Sequence, residues 1–374
     1  MNILVIGNGF DLAHRLPTRY VDFLEYVQSF QRFKESTENS TSQYYNYFKS
    51  LKAAKTLVFQ ELDKLITDNH WLCYFIRVYK NKVLKGKDNW IDFESEISNV
   101  IKALDAVRVS TNEQFEDGNS SAQLTQSQLN IICPVLNLDG RIQDYRMIKY
   151  TPELVGLIKA TLLEDLKKLI RCLEIYLFDY ISFEKCDHLK DIADLEIDKV
   201  LSFNYTDTYR QIYDKVSNSK IEYDFIHGKA DINNDINSCK LVLGIDEYLS
   251  GDAMNKDNEF IQFKKFYQRI YKGTGCHYVD WLYEFENKVK TTSKSSSELN
   301  IYIYGHSLDI TDADIIEKLI KTDGAKTTIF HHSQDTLGKQ IANLVKVIGE
   351  EELIKRTDGK KRTIIFKQSS SETI

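Results

Sequence analysis

Asn2-Ile3-Leu4-Val5-Ile6-Gly7-Asn8-Gly9 reads as a buried parallel strand that runs into a tight turn. A continuous apolar run without polar alternation is what a strand covered on both faces requires, and glycines are the residues that stop it. A helix is expected to follow, starting at Thr18 with Pro17 just before it. Working outward, residues 44–180 show little strand pattern. Leu51, Ala54, Val58, Leu62 and Leu65 recur at helical spacing, and residues 71–84 continue in that style. Thr151-Pro152 is a capping residue followed by proline at a first helical position, and Val155, Ile158, Leu162, Leu166, Leu169, Leu173 and Tyr176 mark one stripe after it. Residues 110–128, rich in Ser, Asn, Gln, Asp and Glu, read as a surface loop.

After Asp198 the strand style returns. Residues 199–203, 223–226, 241–243, 300–304 and 327–330 are strand-like, with helical patterns at 261–270, 312–320 and 336–348 between them. Strands alternating with helices argue for an α/β fold, a Rossmann-like and mainly parallel sheet with a large helical insertion after the first strand and helix. The expected organisation is a nucleotide-binding core of residues 1–30 and 195–348, a helical insertion of 31–194, and a tail of 349–374 with an edge strand at 363–366.

The 374 residues include 49 Lys+Arg against 55 Asp+Glu, a formal charge of −6. That balance disfavours a general binder of long nucleic acid. The six cysteines, Cys73, Cys133, Cys172, Cys186, Cys239 and Cys276, contain no CxxC pair, which excludes a cysteine-rich zinc module and fits reduced thiols in a cytoplasm. No apolar run reaches membrane-spanning length, and Met1 leads straight into the first strand rather than into a signal peptide. No metal is expected, because the histidines show neither HxxxH nor HExxH spacing. Neither a GxSxG elbow nor a Walker A loop is present. Twenty-two tyrosines are unusually many and have no explanation at this level.

In open parallel sheets, ligands collect at the carboxyl ends of the strands. Five strand ends here carry small and polar residues: Gly7-Asn8-Gly9-Phe10-Asp11, Asn204-Tyr205-Thr206-Asp207, His227-Gly228, Gly244-Ile245-Asp246, and Gly305-His306-Ser307 with Asp309 and Asp312. Glycines in the first turn let backbone N–H groups approach a phosphate, although a lone GxG is also a plain tight turn. Asp11 can hold ribose hydroxyls or cap a helix. Asn204 can orient a water or a hydroxyl, or make an Asx turn. His227 can accept a proton near neutrality, or be a satisfied structural histidine. His306 and Ser307 can donate to a phosphate or ribose, or bond within their loop.

These blocks, together with Leu16-Pro17-Thr18, Tyr20, Asp22-Phe23, Trp90-Ile91-Asp92-Phe93-Glu94 and Tyr304-Gly305-His306-Ser307-Leu308, resemble the AbiH family of bacterial phage abortive-infection proteins, from Met1 to about Ile348. One departure is Arg15, where the family pattern has glycine; an arginine in that place alters the first loop. More distantly, the blocks are similar to sirtuin-like bacterial defence proteins that destroy NAD. That similarity implies Asn204 and His227 as the catalytic pair. It implies Gly7, Asn8, Gly9, Asp11, Gly305, His306, Ser307, Asp309 and Asp312 around the dinucleotide.

The resemblance further implies a cytoplasmic bacterial effector that hydrolyses NAD to nicotinamide and ADP-ribose. Two alternatives stand beside that activity: a non-catalytic module sensing NAD or ADP-ribose, and a different nucleotide- or RNA-directed hydrolase. Trp90 and Glu94 would belong to a lid. A homo-oligomer, a regulatory partner or a phage trigger would restrain the toxicity, and no membrane takes part. Asn204, taken as a surface-loop amide, is expected to be replaceable by alanine without harm to the fold.

Overall fold

The computed structural model describes residues 1–85, 90–113, 125–136, 151–214, 220–291 and 298–370. Two compact units emerge. The first gathers Met1–Thr18, Ile181–Ala230 and Gly273–Ile374; the second gathers Arg19–Tyr180 and Asp231–Lys272. Thus residues 19–30, expected in the sheet core, belong to the helical unit, and so does a second excursion at 231–272 that the sequence did not announce.

The first unit is a six-stranded sheet of β1 (Asn2–Ile6), β2 (Lys199–Ser202), β3 (Glu222–Phe225), β4 (Leu299–Tyr304), β5 (Ala325–His331) and β6 (Ile364–Gln368). The spatial order is β3-β2-β1-β4-β5-β6, and every pairing is parallel. This is the order of a doubly wound dinucleotide-binding sheet, with its reversal between β1 and β4. The register sets Val5 beside Leu201 on one side and Ile303 on the other.

Alternate residues of β1 feed two cores. Ile3 and Val5 join Leu201, Ile301, Ile303 and Ile329 under Trp281, Leu319 and Leu344 from the helices His277–Thr291, Ala313–Lys321 and Gln334–Ile348. Leu4 and Ile6 join Val200 and Phe330 under Phe10, Ile192 and Tyr209 from the short helices Asn8–Ala13, Lys190–Ala193 and Thr208–Tyr213. Each such side chain contributes about 1.5–3 kcal/mol over its exposed state. This two-sided burial is why β1 reads as a solid apolar run. The edge strand expected at 363–366 is β6, which extends two residues further.

The second unit is helical: Tyr20–Lys34, Gln43–Ala54, Thr56–Ile66, His70–Leu84, Phe93–Glu113, Gln126–Val135 and Pro152–Ile175, the last capped by Thr151 as expected. The helix expected from Thr18 begins at Tyr20, where the Asp22 carboxylate accepts from Arg19 N at 3.0 Å and from the Arg19 guanidinium. Much of the expected loop at 110–128 lies outside the described residues; what is described at its ends is helical. The tyrosines find part of their reason here. Tyr26, Tyr44, Tyr47, Tyr176 and Tyr180 pack ring on ring with Phe48, Tyr26 and Tyr176 at 4.9 Å and Tyr44 stacked on Tyr180 at 5.3 Å.

Residues 241–243 are not a strand. They lie in the helical unit, fully buried, where the Gln268 side chain takes the place of a neighbouring strand. Its Oε1 accepts from Leu243 N at 3.1 Å and its Nε2 donates to Leu243 O at 3.0 Å. Periodicity cannot separate a buried strand from a buried loop satisfied by one amide.

Candidate active site

Four of the five polar blocks stand at carboxyl ends of strands in the sheet unit: after β1, β2, β3 and β4. The fifth, Gly244-Ile245-Asp246, belongs to the helical unit and leaves the candidate site.

The glycines of the first turn are required by close packing of chain on chain. Gly305 has φ +68°, and a Cβ there would sit 2.1 Å from Phe10 N; a Cβ on Gly9 would sit 2.7 Å from Gly305 Cα. Two of the backbone N–H groups of this turn are taken up by the same contact, and a third bonds within the turn. Gly7 N donates to Tyr304 O at 3.1 Å, Gly9 N to Gly305 O at 2.8 Å, and Phe10 N to Gly7 O at 2.8 Å. Asn8 Oδ1 accepts from Thr18 Oγ1 at 2.8 Å. The N–H groups of Gly7 and Gly9, expected with Asn8 in a phosphate cradle, are therefore engaged within the protein.

Beside this turn lies a first polar cluster. Asn204 is 6% exposed, so it is not the surface amide expected. Its Nδ2 donates to Gly7 O and to Asp11 Oδ1, both at 3.0 Å. The other carboxylate oxygen of Asp11 accepts from Thr206 Oγ1 at 2.5 Å, and Thr208 Oγ1 donates to Thr206 Oγ1 at 2.9 Å. Burial pushes the Asp11 carboxyl up to about 6 against the opposing pull of these hydrogen bonds. Both oxygens of Asp11 are committed inside the protein. Its geometry is that of a brace, not of a ribose clamp. Replacing Asn204 by alanine would strand Gly7 O and Asp11, so the expectation of a harmless substitution is withdrawn.

The second cluster is looser. Asp312 is 8% exposed, with Oδ1 at 3.4 Å from His227 Nε2 and Oδ2 at 3.4 Å from His306 Nε2. His227 and His306 are each 6% exposed. Leu308 N donates to His306 Nδ1 at 2.9 Å, which leaves the ring proton on Nε2, facing the carboxylate. Leu308 itself has φ +58°, a left-handed conformation held by this turn. The Phe203 ring walls the pair, 4.2 Å from His306 and 5.7 Å from His227 between centroids. Two imidazoles around one carboxylate, buried at strand ends, are suited to moving protons.

The remaining expected residues divide. Ser307 is exposed, and its carbonyl accepts from Asn343 Nδ2 at 3.0 Å. Asp309 caps the short turn Ile310–Asp312 by accepting from Thr311 N at 3.1 Å. Trp90 and Glu94 lie in the helical unit, where Trp90 is 54% exposed and Glu94 pairs with Lys265 at 2.6 Å.

Sequence reading missed Thr206 and Gln340. Gln340 is 2% exposed and donates to His306 O at 3.2 Å and Phe330 O at 3.1 Å, fixing the β4 loop. The available signal was a glutamine on the same helical stripe as Leu344 and Val347.

Among the described residues, no helix is long and apolar enough to cross a membrane, and no three His, Cys, Asp or Glu side chains gather as metal ligands. No curated protein and no solved structure matches the chain. A family described as "Bacteriophage abortive infection AbiH" matches residues 3–332, a span that holds both polar clusters while Gln340 and Asn343 fall beyond it. That match covers nearly the whole chain, and on it the protein belongs to the AbiH family of bacteriophage abortive-infection proteins.

Proposed function

We propose that the chain serves abortive infection by hydrolysing NAD to nicotinamide and ADP-ribose, with His227, Asp312 and Asn204 at the reacting end. The observation that carries this reading is the His227–Asp312–His306 group at the carboxyl ends of a sheet in dinucleotide-binding order. Water adds to the ribose carbon that bears nicotinamide, and the carbon–nitrogen bond breaks. The bonding pair leaves on the ring nitrogen, which becomes neutral, and the proton lost by water goes to His227. Nicotinamide is a good leaving group because its ring nitrogen starts positively charged. Catalysis then asks mainly for positioning and for charge placed near an oxocarbenium-like transition state, which Asp312 supplies.

The diphosphate is not assigned to Gly7 or Gly9, whose N–H groups are engaged. Ser307 and Asp309 remain candidates for ribose hydroxyls. An effector of this kind must be held in check in a healthy cell, and a homo-oligomer or a regulatory partner is the proposed restraint.

A second reading has its own support. Paired histidines around one carboxylate also suit acid–base cleavage of a phosphodiester in RNA or another nucleotide. Purified protein is incubated in parallel with NAD and with short RNA, and products are separated by chromatography. Nicotinamide and ADP-ribose in equal amounts, lost in His227→Ala, support the first reading. RNA cleavage lost in the same variant replaces it with the second. NAD binding by calorimetry without any product, in protein that His227→Ala leaves folded, moves the assignment to a sensing module.

A further inference from the structure

The two amide protons of Asn204 are directed at Gly7 O and Asp11 Oδ1, each 3.0 Å away. A carbonyl oxygen can only accept, so the nitrogen of Asn204 must face Gly7; the alternative amide orientation would set oxygen against oxygen. The backbone of Asn204 is fixed as well. Ser202 Oγ accepts from Asn204 N and donates to Asn204 O, both at 3.1 Å. With both N–H groups spent, the atom this side chain has left for a ligand is its carbonyl oxygen.

We propose that Asp11 is a positioning residue that locks Asn204 with its oxygen presented to the ligand, so that this point of the site accepts a hydrogen bond from water or a hydroxyl and rejects carbonyl and phosphate oxygens. The inference deepens the NAD-hydrolase reading and rests on it for the identity of the ligand. It assigns Asn204 the work of aiming a water or ribose hydroxyl by accepting from it. Asp11 itself never touches the substrate. Thr206 and Thr208 complete the brace by holding the second carboxylate oxygen.

The test uses the full chain labelled with ¹⁵N-asparagine, in which the Asn204 side-chain amide is identified by its loss in Asn204→Ser. Asp11→Leu removes the acceptor while keeping the branched shape, whereas Asp11→Asn can still accept from Asn204 and donate to Thr206. Asp11→Leu should shift the Asn204 amide resonances and speed their hydrogen exchange about tenfold or more, the loss of a buried hydrogen bond. Asp11→Asn should stay within about threefold of wild type. In the NAD assay Asp11→Leu should lower kcat by about tenfold to a hundredfold with KM nearly unchanged, and Asp11→Asn should restore most of it. If Asp11→Leu does not fold, Thr206→Val gives the same signs at smaller size. Unmoved amide signals in the folded leucine or valine variant overturn the proposal. An amide response without NAD turnover by the wild type leaves the lock in place and overturns the NAD reading instead. A loss of kcat that Asp11→Asn does not rescue shows that charge at Asp11, rather than amide orientation, is what matters, and also overturns it.

Discussion

In the helical unit, Arg171 is 1% exposed, and its guanidinium reaches Glu174 at 2.7 Å, Glu61 at 2.8 Å, and the carbonyls of Asp231 and Ile232 at 3.1 Å each. Glu174 is fully buried and also accepts from Asp231 N and Asn234 Nδ2. In the sheet unit, Asp11 is just as deeply buried, yet the groups that donate to it are an amide and a hydroxyl, both neutral. The first arrangement cancels charge with charge and pins residues 231–234 to the long helix Pro152–Ile175. The second leaves a carboxyl whose charge is costly at neutral pH, held by an amide and a hydroxyl. Buried charge that is fully paired serves the fold; buried charge left short of a cation marks where chemistry is set up.

The sharpest way to break this contrast is at the site. His227→Ala should reduce turnover of the true substrate by roughly a hundredfold to ten-thousandfold, the range for loss of a general base. Its melting temperature should fall only modestly, because the ring meets Asp312 loosely at 3.4 Å. A variant as active as wild type would show that the second cluster is structural, like the Arg171–Glu174 group of the helical unit, and the contrast would collapse. Arg171→Met is the matching experiment in the helical unit. It strands Glu174 in the interior and should cost about 3–5 kcal/mol in urea unfolding. A cost under 1 kcal/mol would show that the buried pair does not pin the segment.

Asp11 gives a pH test of the same idea. Its carboxyl is raised from 3.8 to about 6 by burial. A raised carboxyl binds its proton more tightly in the folded state. The folded state is thus favoured most below the unfolded value, and that advantage is lost as pH climbs through about 6. Two units and a little more correspond to about 3 kcal/mol. Asp11→Asn lacks this titration, so relative to wild type it should gain stability between pH 4 and pH 7, read from unfolding curves at both values. Parallel curves for the two proteins would mean that Asp11 keeps its charge at no cost.

How much of this was legible follows from what each signal is made of. Strands covered on both faces leave a continuous apolar run, and β1 was readable for that reason, whereas β2, β4 and β5 were readable as short strand-like stretches among helical patterns. The block at 241–243 carries the same run and misled, since one glutamine twenty-five residues away decides its backbone. Asn204, His227, His306 and Asp312 were visible as polar residues at strand ends. Their division into a tight and a loose cluster was not, because it depends on angstrom-level differences between loops distant in sequence. The glycines of the first turn illustrate the limit. Sequence says that a side chain is excluded there; only the packing says that Gly305, rather than a phosphate, excludes it.

Arg15 provides the smallest effect and the cleanest one. The helix Asn8–Ala13 ends with Arg15 N donating to Leu12 O at 2.9 Å and Leu16 N to Asp11 O at 3.1 Å. This pair of hydrogen bonds is the Schellman closure, which places its second-last residue in the left-handed region, and Arg15 has φ +60°. Glycine occupies that region without a Cβ clash, whereas other residues lose about 1–2 kcal/mol there. Part of that gain is offset because glycine also frees the unfolded chain. Arg15→Gly should therefore stabilise the sheet unit by about 0.5–1 kcal/mol. Although the same turn carries Asp11, its closure uses the Asp11 backbone and not its carboxylate, so the substitution should leave the Asn204 amide signals in place. Stabilisation with unmoved signals keeps the brace and the helix end separate. Destabilisation would mean that the arginine side chain contributes contacts worth more than the backbone strain it imposes.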